Sequence, residues 1–414
     1  MERLLPRVAS AVVMLIFAAV TSPSVVGSYA WMVIALTGVQ AVFDAAVRQV
    51  AVGAIRDHAG IRFLRRYSVV FATSGPVLLL LALLAVSASA TNPHHVFWPL
   101  APIVLTPTCI AVATTALARM QADGRWRAIA LIQTVAVTTS LAITLPLVIT
   151  TQSALGPALQ ALIVEALNAS MLIIVARRVI VSPAEVGEGV SPRREFFAAA
   201  WYSGLGWAQS QADRMLVGAL GGQRVLGLYS FSWSLSRNVG DALSYASVNV
   251  LRPQLLRGDE IDDERAHQVF HTSLKKVCLL LAAVTVATFL GATWILPLIL
   301  DERWEPVFTA VPVMSLSSFA LVTAWSLTPM LVRAGRLRTA LVAKVIGVLL
   351  AIPVGIVAAF DLTAAAWVAL AREIIVTACL AFAARRTVHA RAYLAPASAT
   401  LGFGLLIAAY QYIS

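Results

Sequence analysis

A succession of apolar runs of membrane length dominates this chain. Most of them approach or exceed the roughly 20 residues that a helix needs to cross the hydrocarbon core of a bilayer. Of the 414 residues, 59% are hydrophobic and 12% are charged, against roughly 25% charged residues in soluble globular domains. The sequence therefore predicts an all-α integral membrane protein with about thirteen spans, near residues 4–21, 28–54, 67–88, 97–118, 128–150, 154–176, 196–220, 225–251, 277–300, 307–332, 339–360, 362–384 and 392–412.

The net charge of +11 resides mainly in the loops between these spans. Alternate predicted loops hold most of the 31 Lys and Arg residues, for example at 56–66, 177–194 and 252–276, whereas the opposite loops hold only Arg224 and Arg303. Because cytoplasmic loops collect Lys and Arg, we expect the N-terminus in the cytoplasm and, after thirteen spans, the C-terminus outside. Membrane topology thus accounts for the positive net charge, and no nucleic-acid partner is predicted.

Two short motifs occur twice along the chain. Residues 25–29 (VVGSY) match 225–229 (VLGLY) at the starts of spans 2 and 8, and 124–127 match 335–338 before spans 5 and 11. Spans 1–6 and 7–12 are therefore interpreted as two copies with the same orientation. The first span pairs with span 7 in this scheme, which favours a retained helix over a cleaved signal peptide.

The repeat predicts two parallel six-helix lobes around a central cavity and one extra C-terminal helix. Lobes of this kind are typical of transporters that work by alternating access. The predicted parts are an N-terminal lobe (1–178), a cytoplasmic linker (179–195), a C-terminal lobe (196–386) and an additional transmembrane helix (387–414).

Spans 7 and 8 each carry a polar face. A charge near the bilayer centre costs roughly 2.5 to 3.5 kcal/mol even on the insertion scale, so these faces are not expected to contact lipid. Serines alone would indicate tight helix packing, but serines combined with charges favour a wet substrate cavity. The candidate cavity residues on these faces are Ser210, Asp213, Arg214, Ser234, Arg237 and Asp241.

The charges inside the predicted spans balance in number. Asp44 and Arg48, like Arg237 and Asp241, stand four residues apart and can pair on one helix. Two interpretations stay open: the pairs are structural, or Arg48 and Arg237 exchange partners when an anionic headgroup arrives, because guanidinium forks match phosphate oxygens. For Arg372 and Glu373, which are neighbours in span 12, the structural interpretation is favoured. The cations are Arg48, Arg214, Arg237, Lys344 and Arg372, and the anions are Asp44, Glu165, Asp213, Asp241 and Glu373.

Enzyme motifs are weak in this sequence. It contains no Walker A segment, no HExxH and no Gly-x-Ser-x-Gly, and we predict no catalytic residue, cofactor or metal site. Cys109, Cys278 and Cys379 all fall within predicted spans, so no disulfide framework is indicated. A membrane glycosyltransferase or polymerase would need catalytic groups in a substantial outer loop, and the predicted outer loops are short.

Several motifs resemble those of the polysaccharide-biosynthesis flippases of the Wzx type. These flippases belong to the multidrug/oligosaccharidyl-lipid/polysaccharide exporter superfamily, together with the lipid II flippase and the multidrug extrusion antiporters. The resemblance implies a two-lobed helical fold in which spans 1, 2, 7 and 8 line the central cavity, which places Asp44 and Arg48 inside it. The motifs are Asp213-Arg214, Gly218, Gly222, Gly227, Tyr229 and Pro253, with further similar pieces at 22–29, 303–306 and 335–336.

The resemblance also implies a function. A Wzx-type protein moves undecaprenyl-pyrophosphate-linked oligosaccharides from the cytoplasmic to the outer leaflet of the bacterial inner membrane. The expected partners are this lipid-linked substrate, membrane lipids, and the glycan polymerase and glycosyltransferases of the same pathway. The alternatives are a cation-coupled exporter of drugs or lipids from the same superfamily, a membrane glycosyltransferase or polymerase, and a noncatalytic scaffold.

Overall fold

The computed structural model describes residues 4–55, 58–90, 92–179, 192–256, 263–333, 336–385 and 393–413. All regular secondary structure within these ranges is helical, and the predicted all-α membrane class is confirmed. The chain divides into two compact units, Met1–Ala208 and Gln209–Ser414. Most of the predicted linker 179–195, and Gly335 of the repeated motif, lie outside the described residues. The predicted lobe boundaries stay a prediction.

The first unit is built on helices α1 to α8 and the start of α9. Helix α2 begins at Pro23, directly after Ser22. Proline is favoured at the first position of a helix, because the N–H that it lacks would have no partner there. Leu117, Met120, Ile129 and Leu172 belong to a buried core that α6, α7 and α8 share. The helices are α1 (Leu4–Val20), α2 (Pro23–Gln40), α3 (Ala46–Ala54), α4 (His58–Ala88), α5 (Pro93–Leu100), α6 (Thr106–Ala122), α7 (Trp126–Thr151), α8 (Leu155–Ala176) and α9 (Pro192–Leu256), with a π-helical turn at Ala41–Ala45 and a 3-10 turn at Ala101–Leu105.

The second unit is organised around α12. This helix packs against α10, α15 and α16, and 89% of its apolar, membrane-length segment is buried. Trp304, which directly precedes α12, and Phe319, which lies within it, are completely buried. The helices are α10 (Asp263–Leu290), α11 (Leu296–Ile299), α12 (Glu305–Arg333), α13 (Leu337–Leu349), α14 (Ala351–Ala358), α15 (Leu362–Ala384) and α16 (Leu394–Ile413), with a π-helical turn at Gly291–Ile295 and a 3-10 turn at Glu302–Trp304.

Helix α9 is a hairpin and not a straight rod. Gly222 leaves helical geometry, with φ 76° and ψ −176°, a backbone region that is essentially restricted to glycine. The Tyr229 hydroxyl donates to Asp213 Oδ2 over 2.9 Å, although sixteen residues of straight helix would separate the two by roughly 24 Å. The chain therefore turns back at Gly222, between the predicted spans 7 and 8.

Ten helices in the described part of the chain are long and apolar enough to cross a membrane. The predicted spans that fall short are α1, which has 17 residues, and the two halves of α9, which carry the buried charges. Large apolar side chains such as Leu131, Leu279 and Leu405 are exposed, as helices that face lipid require. The chain is a multi-pass membrane protein.

Candidate functional site

Four of the predicted site residues converge in the second unit. Asp213 and Arg214 lie before the bend in α9, Arg237 and Asp241 lie after it, and all four are buried. Two further buried charges join them from α15, so that three arginines face three carboxylates. We call this set the charge cluster: Asp213, Arg214, Arg237, Asp241, Arg372 and Glu373.

Arg372 and Asp213 form the tightest ion pair of the cluster. Arg372 Nη1 lies 3.0 Å from Asp213 Oδ2, and the two side chains are 2% and 3% exposed. Arg372 also donates to the backbone carbonyl of Gln209. Asp213 accepts two more hydrogen bonds, from the Tyr229 hydroxyl and from the Arg214 backbone N–H, each 2.9 Å long. Both terminal nitrogen atoms of Arg372 thus have a close partner, although its Nε has none among the described residues. The pair holds α15 against both halves of the hairpin.

The interpretation of Arg372 and Glu373 as a pair of their own is therefore too narrow. Their charged atoms lie 3.6 Å apart, but the nearest carboxylate of Arg372 is Asp213. Glu373 Oε1 also lies 3.9 Å from Arg237 Nη1. These two neighbours on α15 thus link two charge pairs of the hairpin, and they belong with the candidate site.

Arg237 has only long ion pairs within the charge cluster. Its Nε lies 3.6 Å from Asp241 Oδ1, so the predicted pair on one helix is present. This distance and the 3.9 Å to Glu373 both exceed the length of a hydrogen bond. The Nε atom has no hydrogen-bond partner among the described residues. Charge attraction and the ring of Trp233, 4.9 Å away, hold this buried guanidinium in place.

Trp233 also contacts the second loosely paired arginine. The Arg214 guanidinium lies 4.2 Å from the Trp233 ring centroid and donates to the side-chain carbonyl of Gln211. No described carboxylate lies within 4.0 Å of its guanidinium nitrogen atoms. A cation over an aromatic face gains about 2 kcal/mol or more when desolvated. Sequence reasoning missed Trp233, although it stands one helical turn before Arg237.

A small cavity of about 10 Å³ lies inside the cluster, lined by Asp213, Tyr229, Trp233, Arg237 and Glu373 among others. This volume is about that of one water molecule. The charges neutralise one another around it, and a lipid headgroup would need the cluster to open. Within the described residues no group of three or more His, Cys, Asp or Glu side chains is placed to hold a metal ion.

The two predicted serines lie at the margin of this arrangement. Ser234 is half-buried and accepts a hydrogen bond of 2.8 Å from the Asn238 side chain. Ser210 is exposed. Neither serine is one of the residues that define the charge cluster, and their place in a substrate path stays a prediction.

Asp44 and Arg48 belong to the first unit. Arg48 Nε lies 2.7 Å from Asp44 Oδ2, so the predicted pairing is present, and the side chains are 36% and 15% exposed. Asp44 lies in the π-helical turn Ala41–Ala45, and such turns are frequent at functional sites. Glu165 of α8 lies close enough for its charge to act on both side chains. Asp44, Arg48 and Glu165 thus form a second group of intramembrane charges.

Residues 16–309 match the sequence family described as polysaccharide biosynthesis protein. No curated protein matches the chain. The lipid II flippase MurJ in an inward closed conformation superposes with a TM-score of 0.69 at 11% identity, covering 99% of this chain and 91% of MurJ. An inward-facing multidrug resistance MATE family transporter of the MOP superfamily gives 0.62 at 10% identity, with 99% and 96% covered. An outward-facing one gives 0.59 at 13% identity, with 99% and 95% covered.

Proposed function

The chain belongs to the polysaccharide biosynthesis protein family, and we propose that it is a flippase that moves undecaprenyl-pyrophosphate-linked oligosaccharides from the cytoplasmic to the outer leaflet. It is a multi-pass membrane protein with the fold of the MOP superfamily transporters. The structural similarity to a lipid II flippase supports a lipid-linked substrate. Movement between leaflets breaks no covalent bond, so this function requires a polar path through the protein and no catalytic group.

The main support for the proposal is that the buried arginines differ in how closely their partners lie. Arg372 is fixed by hydrogen bonds to Asp213 and Gln209, whereas Arg237 has only long ion pairs. A buried charge must stay paired, because an uncompensated charge in a low-dielectric site costs several kcal/mol. Arg237 can keep that pairing if the diphosphate of the substrate replaces its carboxylate partners, since a guanidinium binds phosphate oxygens in a bidentate manner.

Arg372, Asp213 and Tyr229 serve as the fixed frame in this scheme. Their short contacts span α15 and both halves of the hairpin, so they keep the helices in register while Arg237 changes partners. Arg214 lies on the same tryptophan without a close carboxylate and supplies a second cation. Two guanidinium groups then face the two phosphates of the substrate.

A cation-coupled exporter is the second candidate. The fold similarity to MATE family transporters and the buried carboxylates Asp241 and Glu373 favour it. A cationic substrate would pair with these carboxylates, and Arg237 would then compete with the substrate. Neutralising Arg237 should enhance export of a cation, whereas it should abolish export of a lipid diphosphate.

Substitution of Arg237 tests the proposal. Arg237→Gln should lose far more of its glycan export than of its abundance in the membrane. Arg237→Lys should recover part of the export, because an ammonium keeps the charge but loses the planar fork. Arg224→Gln, at an exposed position outside the charge cluster, is the matched control and should export normally.

The double variant Arg237→Ala/Asp241→Ala separates binding from structure. If Arg237 only neutralises Asp241, the single Arg237→Ala should lower protein abundance and the double variant should restore both abundance and export. If Arg237 binds substrate, export should stay lost in the double variant. Normal export by an abundant Arg237→Ala protein would rule out the substrate role.

A further inference from the structure

The first unit contains a cavity of about 550 Å³ that the charge cluster does not involve. It lies between α4 and the start of α9, Phe43 of the π-helical turn also lines it, and we call it the α4–α9 cleft. Its volume falls in the range of small-molecule sites, roughly 300 to 1,000 Å³. Its lining includes Arg62, Arg66, Arg193, Phe43, Tyr67 and Phe196.

The wall of the cleft is a packed group of aromatic rings. Tyr67 and Phe196 meet edge to face with centroids 4.6 Å apart, and Phe63 lies 6.0 Å from each of them. Phe43 stacks on Phe71 at 5.1 Å. Rings that contact one another in this way lose little further freedom when an apolar ligand binds. The cleft therefore offers a preformed apolar surface.

The rim of the cleft is cationic. Arg62 and Arg66 stand one turn apart on α4, and Arg193 comes from the start of α9. All three are exposed. No acidic side chain is among the residues that line the cleft, and none of the three arginines forms an ion pair with an acid in the described ranges. Arginines from two distant parts of the chain thus converge on one apolar wall.

We propose that the α4–α9 cleft docks the diphosphate and the first isoprenoid units of the lipid-linked substrate before translocation. This inference rests on the proposed function, since it assigns the substrate class of that function to a second place. A diphosphate diester carries two negative charges and a phospholipid phosphodiester carries one, so three arginines match the diphosphate better. The isoprenoid chain is apolar and matches the aromatic wall.

Tyr67 adds a hydrogen-bond donor to the same place. Its side chain is 8% exposed, and its hydroxyl has no hydrogen-bond partner among the described residues. A buried hydroxyl without a partner costs about 1 to 3 kcal/mol. A phosphate oxygen that enters the cleft would accept this hydrogen bond and remove that cost.

One residue of the cleft lining is next to the Asp44–Arg48 pair along the chain. Phe43 lines the cleft and directly precedes Asp44, and Tyr67 interacts electrostatically with Asp44. The Arg48 guanidinium, which pairs with Asp44, is thus a fourth cation in the same part of the first unit.

Binding of an undecaprenyl diphosphate sugar, a diphosphate diester, to the purified full-length protein tests the inference. The triple variant Arg62→Gln/Arg66→Gln/Arg193→Gln should lower the affinity, measured by native mass spectrometry in detergent, by about tenfold, since exposed charge contacts are each worth up to about 1 kcal/mol. The control is Arg65→Gln/Arg194→Gln, which removes neighbouring exposed arginines that do not line the cleft. Its affinity should stay within about twofold of wild type.

A second variant blocks the cleft by volume. Val70 lines it and is 53% exposed, so Val70→Trp should fold and should also weaken binding. Equal affinity of the triple variant and its control would overturn the inference. The inference would also be overturned if phosphatidylglycerol bound wild type as tightly as the diphosphate and lost as much affinity in the triple variant. The cleft would then be a general phospholipid site.

Translocation in liposomes separates this inference from the proposed function. The readout is the leaflet position of a fluorescent polyprenyl-diphosphate sugar. A wild-type protein that binds through the cleft but does not translocate the probe would contradict the flippase function and support the cleft. A wild-type protein that translocates, with a triple variant that binds and translocates equally well, would support the function and contradict the cleft.

Discussion

Removal of the Arg372 side-chain charge should destabilise the protein strongly. In Arg372→Met, the carboxylate of Asp213 loses its partner at 3.0 Å but keeps its hydrogen bonds to Tyr229 and to the Arg214 backbone. Breaking a buried ion pair by removing one partner costs about 3 to 5 kcal/mol. Because two donors remain on the carboxylate, we expect the lower end, about 3 kcal/mol, which is roughly a hundredfold change in the folded-to-unfolded ratio.

The double variant Arg372→Met/Asp213→Asn tests the cause of this loss. An amide at position 213 removes the stranded charge, so we expect a recovery of about 2 kcal/mol relative to Arg372→Met. Unfolding in mixed micelles, followed by tryptophan fluorescence, measures the free energies, and Arg224→Met serves as an exposed control. Wild-type stability of Arg372→Met, or a double variant as unstable as the two single losses added together, would refute the reasoning.

Two further predictions concern the fold and the topology. Gly222→Ala should lower the free energy of unfolding by about 1 to 3 kcal/mol and lower the melting temperature, because a side chain is strained at a φ of 76°. The control is Gly402→Ala, which has open space for the added methyl group and should leave the melting temperature unchanged or raise it. Single cysteines at Asn92 or Gln152, in a protein whose Cys109, Cys278 and Cys379 are replaced by alanine, should react with an impermeant reagent from outside, and a cysteine at Ala122 should not; the opposite pattern would reverse the orientation.

The membrane helices could be predicted from the sequence because bilayer thickness sets a minimum length for an apolar run. Even the polar spans 7 and 8 were recognisable, since charge inside a membrane-length segment marks a protein interior. The break at Gly222 lies between the two predicted spans. Helix spacing also predicted the pairs Asp44–Arg48 and Arg237–Asp241.

Contacts between distant helices could not be predicted in the same way. Spacing along one helix identifies neighbours within a turn, so Arg372 was assigned to Glu373, and its bond to Asp213 depends on how α15 packs on the hairpin. The α4–α9 cleft was missed for a related reason. The charge pattern placed Arg62 and Arg193 in separate predicted loops, and only the packing of Phe196 on Tyr67 brings them to one surface.

The leaflet position of lipid-linked oligosaccharides in cells that lack this protein tests the central claim most directly. The account predicts fully assembled units that accumulate on the cytoplasmic leaflet, because transport is lost and no bond chemistry is affected. Restoration of outer-leaflet units by the wild-type protein, but not by Arg237→Gln, would complete the expected result. Truncated units, or complete units that reach the outer leaflet and stay unpolymerised, would contradict the flippase function and indicate a transferase or a polymerase.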